Sequence, residues 1–383
     1  MVEWKPLKDI CEVLNGFAFK SQEYVPEGIR VIRISDVQSG YISDKDKVFY
    51  PVEKLSEYRR YLLQRGDLVM SLTGNPGRVA FVQNESCALN QRVACLRAKT
   101  VSNSFLFYLF NCKEFEAIAF ANSTGGAQKN LSTTWLSNYK IPIPSLSEQT
   151  RIVGILDTFT ASIENLKQQI AERRKQYEYY RDELLDLEGK EGVEMKTLGE
   201  VCVKTKNIKW KSEQVESFYK YIDLSSVNID LNSITETTII NKDNAPSRAQ
   251  QIVNAGDILL GTTRPTLKRY CQVPKQYNNQ ICSTGYCVFR AKKELILERW
   301  IFYNIGNHKF WDYCEAHQQG AGYPCLANSE AFAYTIPVPS IEEQSRIVSI
   351  LDTFEASIAN LEAQLKEREK QYEYYRNKLL TFE

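Results

Sequence analysis

The chain has 383 residues, 43% of them apolar and 25% charged, with a formal net charge of +1. That profile fits about two or three globular domains and excludes a strongly basic, non-specific nucleic-acid coat, although local basic loops remain compatible with it. No apolar run approaches the roughly 18 residues a membrane span needs. MVEWKPLKDI lacks an export signal, so the ten scattered cysteines, none in a CxxC pair, are expected to be reduced thiols in a cytoplasmic protein.

Residues 1–141 read as a mixed domain. Short strand-like runs, IRVIRI, DLVMSL and GRVAFV, precede one aromatic helical stretch, SNSFLFYLFNC. A helical segment follows over 142–190. It opens after Pro142 and Pro144, which should stop the preceding strand, and Ser145 with Glu148 spells a capping box. DTF, Asp157 to Phe159, marks a possible bend between a short and a long helix. Beyond it the apolar spacing is 3-4-3-4 through Ile163, Leu166, Ile170, Arg173, Tyr177, Tyr180 and Leu184, a heptad seam.

Residues 191–336 repeat the mixed pattern with KYIDLSS, QIVNAGDILLG, TGYCVFRA and the helical stretch LERWIFYNIGN. Residues 337–383 repeat the helix. Pro337, Pro339, Ser340 and Glu343 open it, and Ile358, Leu361, Leu365, Arg368, Tyr372, Tyr375 and Leu379 form its seam. Arginine in the same seam position of both copies either fixes their register or snorkels to solvent. The tyrosines read as coiled-coil core with their hydroxyls at its edge.

The two helical segments are one duplicated block. They align without a gap over about 50 residues with roughly two-thirds of positions identical, and both contain QYEYYR. The mixed segments match only at scattered points: WKPLKDIC with MKTLGEVC, RGDLVMSLTG with AGDILLGTTR, and LRAK with FRAK. Duplication inside one chain imitates a symmetric dimer. VEWK at Val2 and VEMK at Val193 begin the halves, and Glu188 lies just before Val193. A two-fold then places Glu383 near Val2, so the helices should run antiparallel. The expected fold is α+β: two mixed α/β domains joined by two long antiparallel coiled-coil helices in a pseudo-two-fold repeat. About 27 seam residues give a rod of roughly 40 Å.

Four loop types differ between the halves and carry polar and basic residues. NGFAFKS faces KTKNIKWK, RISD faces LSS, SLTGNPGR faces GTTRPTLKR, and STGGAQKN faces HQQGAGYP. Arginine can read guanine and Asn or Gln adenine through paired hydrogen bonds, while lysine holds phosphates. Singly, each loop is an ordinary solvated turn; together they make a binding surface. The DNA-contact candidates are Lys20, Arg33, Arg78, Gln128 and Lys129 in the first half. In the second they are Lys206, Lys209, Arg264, Lys268, Arg269, Gln318 and Gln319.

Signs of catalysis are missing from the sequence. There is no GxxxxGK[ST] loop, no GxGxxG, no zinc-type Cys/His spacing, and no Asp-Pro-Pro-Tyr or Asn-Pro-Pro-Tyr run of the kind that amino-methyltransferases use. Cys282 and Cys287 read as buried packing, so no metal is expected.

IPIPSLSEQTRIVGILD and IPVPSIEEQSRIVSILD, each followed by a heptad helix, together with NGFAFKS, RGDLVMSLTG and AGDILLG, give the whole chain a resemblance. It resembles the DNA-specificity (S) subunits of type I restriction-modification systems. The resemblance implies a non-catalytic subunit. Residues 1–141 and 191–336 would be target-recognition domains, and 142–190 and 337–383 conserved spacer helices. It also implies double-stranded DNA with a bipartite asymmetric target, and two modification (methyltransferase) subunits that carry S-adenosylmethionine and methylate adenine N6. Restriction subunits using ATP and Mg are possible further partners. Two rivals are a two-armed coiled-coil protein-interaction scaffold without DNA specificity and a self-contained methyltransferase.

Overall fold

A computed structural model describes residues 2–83, 87–126 and 128–382. The chain divides into two compact units. One contains residues up to Lys167 and those from Gln364 onward; the other is Gln168–Ala363. Each unit therefore holds one mixed domain, the beginning of the helix that follows it, and the end of the other long helix.

Within the first unit, two four-stranded sheets are stacked. One is ordered Cys11–Asn15, Val93–Ala98, Leu68–Ser71, Val79–Phe81; the other Phe49–Tyr50, Ile29–Ile32, Cys87–Leu89, Leu62–Leu63. Alternation along a strand explains the layering, because successive side chains face opposite ways. Leu68 and Met70 join a core with Leu106, Phe110 and Phe115 of the helices behind the sheet. Val69 turns to the other side, into a core with Ile32, Leu89 and Cys95. Val31 reaches a third cluster with Phe19, Tyr50 and Tyr58. A strand buried on both faces needs the continuous apolar runs seen in the sequence.

The second unit repeats this topology. Its sheets run Cys202–Val203, Tyr286–Ala291, Ile258–Gly261, Tyr270–Gln272 and Thr238–Ile240, Tyr219–Ile222, Gln280–Ser283, Ala249–Val253. A hairpin, Val227–Asn228 with Ser233–Ile234, is added to the plan. Cys282 and Cys287 lie in separate apolar clusters, and burial pushes both thiols well up. The domain sequences have diverged while the strand order has not.

The scattered matching points are what hold that order. Arg97 donates to Asp67 at 3.0 and 2.7 Å and to the Leu62 carbonyl at 3.2 Å. Arg290 repeats this with Asp257 at 2.8 and 2.7 Å and the Ile252 carbonyl at 3.2 Å. The aspartates belong to RGD and AGD, the arginines to LRAK and FRAK. WKP and MKT are explained too: Glu3–Pro6 pairs with Lys140–Ile143, and Glu194–Thr197 with Thr335–Val338. The strands end at Ile143 and Val338, just before Pro144 and Pro339, but the first proline of each pair does not stop them. Pro142 and Pro337 sit inside these two-stranded pairs, where an edge position tolerates a missing N–H.

The helices are unbroken over Leu146–Leu185 and Ile341–Leu380, 40 residues each, so the expected bend at DTF is absent. Each is roughly 60 Å long, more than the seam alone implied. Half of each capping box forms. Ser145 and Ser340 accept from the N–H of Glu148 and Glu343 at 3.3 and 3.2 Å, but the glutamates turn forward to Arg151 and Arg346. Those bidentate pairs hold both carboxyls below the usual range.

Inside DTF, the aspartate anchors the domain. Tyr108 donates to Asp157 at 2.6 Å and Tyr303 to Asp352 at 2.5 Å. The tyrosines come from the two aromatic helices, Asn103–Phe110 and Glu298–Gly306.

Within each unit the helix segments are antiparallel. In the second, Arg174 pairs with Glu362 at 2.6 Å and Tyr177 donates to Glu355 at 3.2 Å, while Tyr180 meets Phe354. In the first, Phe159 meets Tyr375, and Ile152 and Leu156 pack with Tyr372 and Leu379. Ile163 and Ile170 are buried; Leu166, Arg173, Tyr177, Leu184, Ile358, Leu361, Leu365, Arg368, Tyr372 and Leu379 are half-buried.

Tyr180 and Tyr375 depart from the seam. They are 46% and 41% exposed and lie flat on Phe354 and Phe159, with centroids 5.5 and 5.4 Å apart. The turn of an α-helix carries the next residue inward instead. Arg376 is buried against Glu114 at 3.2 Å, and Arg181 is nearly so. Arg173 and Arg368 lie over the same rings, 5.9 Å from Phe354 and 5.7 Å from Phe159. Phe354→Ala removes the support of both Tyr180 and Arg173. It should lower stability by about 1–2 kcal/mol, because the ring is only half-buried. A urea midpoint equal to wild type would refute this.

Candidate nucleic-acid interface

The four loops of the first unit meet because backbone hydrogen bonds lace them together. Phe17 N–H donates to the Leu89 carbonyl at 2.8 Å, and Gln91 N–H to the Phe17 carbonyl at 2.9 Å. Gly16 permits this approach, since a Cβ there would stand 2.2 Å from the Asn90 oxygen. Leu72 N–H then donates to Arg92 at 3.0 Å, Gly74 N–H to Lys129 at 2.9 Å, and Leu131 N–H to Leu72 at 2.7 Å. Thr73 adds a side-chain bond to Asn130 at 2.9 Å. Arg78 donates to Gln38 at 2.8 Å, which ties in the RISD loop.

The second unit uses the same knots with other residues. Thr262 N–H donates to Gly285 at 2.9 Å, Arg264 N–H to Pro324 at 2.7 Å, and Leu326 N–H to Thr262 at 2.9 Å. Leu224 packs within 3.0–3.4 Å of the place a Gly285 side chain would take, which brings in the LSS loop. Thr284 N–H donates to Arg248 at 2.9 Å, beside the strand that pairs with KTKNIKWK through Ile208 and Lys206.

The candidates fare unequally on these platforms. Lys20 is exposed and 3.7 Å from Glu23. Glu23 in turn binds Lys54 and the Tyr50 hydroxyl; Lys54 is the main cause that holds its carboxyl down to about 2. Burial, with Glu23 second, pushes the Tyr50 hydroxyl up to about 12. Arg33 is turned inward, to Asp36 at 3.2 Å and the Asp46 carbonyl at 2.5 Å, and braces its own loop. Gln128 is exposed, and Lys129 lies 5.3 Å from the Phe120 ring; Ala127 between them and Gly126 lies outside the described residues. Lys206, Lys209, Lys268 and Gln319 are exposed, Arg269 and Gln318 half-buried. Arg264 is exposed over the ring of Tyr323 at 4.4 Å.

Three exposed residues were not singled out from sequence. Gln91 and Arg92 occupy the knot of the first platform, and Arg248 adjoins that of the second. LNQR carries the residue types of a reading loop, but nothing in the sequence places it beside NGFAFKS and SLTGNPGR.

Fold and loops together define a class: a duplicated binding scaffold, with one plan for its strands and loop knots and two different sets of side chains on them. The comparisons agree. The chain belongs to the family described as type I restriction modification DNA specificity domain, whose model matches residues 1–173 and 190–370. It is 32% identical over 325 residues to the EcoR124I/EcoR124II specificity subunit of Escherichia coli, covering 78% of this chain and 75% of that protein. It is 28% identical to a putative type I specificity subunit of Haemophilus influenzae, covering 100% of this chain and 96% of that one. The fold matches a crystal structure of a type I S subunit from M. genitalium with a TM-score of 0.62 at 16% identity, covering 100% of this chain and 97% of that one. It also matches a chain from a structure of type I R-M complex assembly, with a TM-score of 0.60 at 18% identity, covering 99% of this chain and 96% of that one. Among the described residues, no helix is long and apolar enough to cross a membrane.

Proposed function

We propose that this chain is a non-catalytic specificity subunit in the cytoplasm, and that each loop platform reads one half of a split, non-palindromic DNA target. The observation carrying this is the pairing of identical backbone lacing with unlike side chains: Gly74, Lys129 and Asn130 in one unit, Arg264, Pro324 and Cys325 in the other. A palindrome would require the same readers twice.

The duplicated helices supply the complementary argument. Surfaces kept alike in both copies suit two copies of one partner, for which methyltransferase subunits carrying S-adenosylmethionine are the natural occupants. Restriction subunits using ATP and Mg would add to that core. Residues 1–141 and 191–336 act as the recognition domains and the helices as the spacer between half-sites. The net charge of +1 favours weak DNA binding by this chain alone, with partners adding phosphate contacts.

Mapping N6-methyladenine across the host genome tests this. The expected result is one bipartite, asymmetric motif whose methylation disappears when this chain is deleted. An unchanged methylation map would overturn the reading.

A further inference from the structure

We propose that Arg264 reads a guanine in the half-site of the second unit, with Tyr323 positioning its guanidinium. This rests on the DNA-reading function proposed above and assigns the base that one residue recognises.

The lacing shows which positions of the two platforms correspond. Gly74 donates its N–H to Lys129, and Arg264 donates its N–H to Pro324. The preceding residues, Thr73 and Thr263, bridge Asn130 and Cys325. Arg264 therefore occupies the place of Gly74, and Tyr323 that of Gln128. Both backbones are left-handed there, with φ of 76° at Gly74 and 49° at Arg264. That conformation suits glycine and is uncommon for a residue with a long side chain. The second unit thus carries arginine where the shared turn favours glycine.

What the side chain does there is the second observation. Many arginines of this chain are tied down: Arg33 to Asp36, Arg97 to Asp67, Arg290 to Asp257, Arg299 to Asp352. The guanidinium of Arg264 has no hydrogen-bond or carboxylate partner among the described residues. It rests 4.4 Å from the centre of the Tyr323 ring, and that ring is itself 73% exposed. A guanidinium resting over an aromatic face is favoured there while its N–H donors stay free for another partner. Two parallel donors from its edge match O6 and N7 of guanine in the major groove, whereas an ammonium would serve a phosphate as well as an arginine. Lys268, exposed at the other end of the same short turn, suits the phosphate role.

The test uses the chain assembled with its own modification subunits and duplexes in which each base of both half-sites is varied. Arg264→Gly cannot be dismissed as misfolding, because glycine favours this backbone. It should erase discrimination at a single G·C pair of one half-site, by roughly 5- to 150-fold, and leave the other half-site intact. Arg264→Lys should weaken that discrimination, because an ammonium offers no rigid pair of donors to O6 and N7. Tyr323→Ala should weaken the same preference, and Tyr323→Phe should restore it. A uniform loss over all sequences, with a smaller salt dependence, would make Arg264 a phosphate contact and overturn the inference. So would an unchanged profile in Arg264→Gly. If the wild-type complex itself shows no split-sequence preference, the broader reading fails instead.

Discussion

Deleting one heptad from the middle of each long helix, residues 167–173 together with 362–368, is expected to abolish methylation at the original target. The deleted stretches occupy matching places in the duplicated block, and the flanking seams stay in phase. Each helix shortens by about 10 Å, the rise of seven residues. That equals about three base pairs at 3.4 Å each. The geometry then works against simple adjustment. Three base pairs turn the duplex by roughly a third of a helical turn, while a heptad changes the facing of an α-helix by only about 20°. A recognition domain that followed the shortened helix would meet the wrong side of the groove. Methylation mapping should therefore show loss of the original motif, with either a target of shorter gap or no assembled complex. Full activity at the unchanged gap would mean that the helices do not set the spacing.

Asp257→Ala should cost about 2–4 kcal/mol of stability. Asp257 is almost completely buried, and its carboxylate holds Arg290 through two hydrogen bonds and the Asn254 N–H at 2.7 Å. Removing it strands an arginine whose side chain is only 22% exposed. Breaking a fully buried pair costs roughly 3–5 kcal/mol, and the partial exposure of Arg290 moves the figure down that scale. The double substitution Asp257→Ala with Arg290→Met should be milder than Asp257→Ala alone, because no unpaired charge remains. Urea unfolding measures both. A single variant within about 0.5 kcal/mol of wild type would refute the brace. Asp67→Ala should behave alike, since Asp67 holds Arg97 and the Gln64 N–H in the same way.

These two pairs illustrate what was legible. RGD with AGD and LRAK with FRAK are visible in the sequence, but only as two short matches between the halves. That Asp67 meets Arg97 across 30 positions, and Asp257 meets Arg290 across 33, is a fact of strand pairing. No local pattern encodes it. The strands themselves were legible because runs such as DLVMSL must be buried on both faces. The helices were legible because their seam repeats every seven residues.

The sites were less so. Loop composition marked Arg33 and Arg264 as equals, yet Arg33 folds back onto Asp36 while Arg264 stands free over Tyr323. An arginine's function depends on whether a carboxylate lies within reach, and that is set by backbone paths. Gln91 and Arg92 were overlooked for the same reason: they join the platform only through bonds to Phe17 and Leu72.

QYEYYR shows the boundary between the two kinds of information. The alignment of the two halves determined the duplication and, through the two-fold it implies, the antiparallel run; periodicity determined the long helices. It assigned Tyr180 and Tyr375 to the seam, because heptad counting treats every a and d position alike. Tertiary structure decided otherwise. Phe354 and Phe159 offer flat faces at the flank, so each tyrosine stacks there and stays exposed. The following arginine turns inward, to Glu114 in one unit and over Tyr177 in the other. A repeat in sequence fixes which residues share a helix face; what that face meets depends on partners far away in the chain.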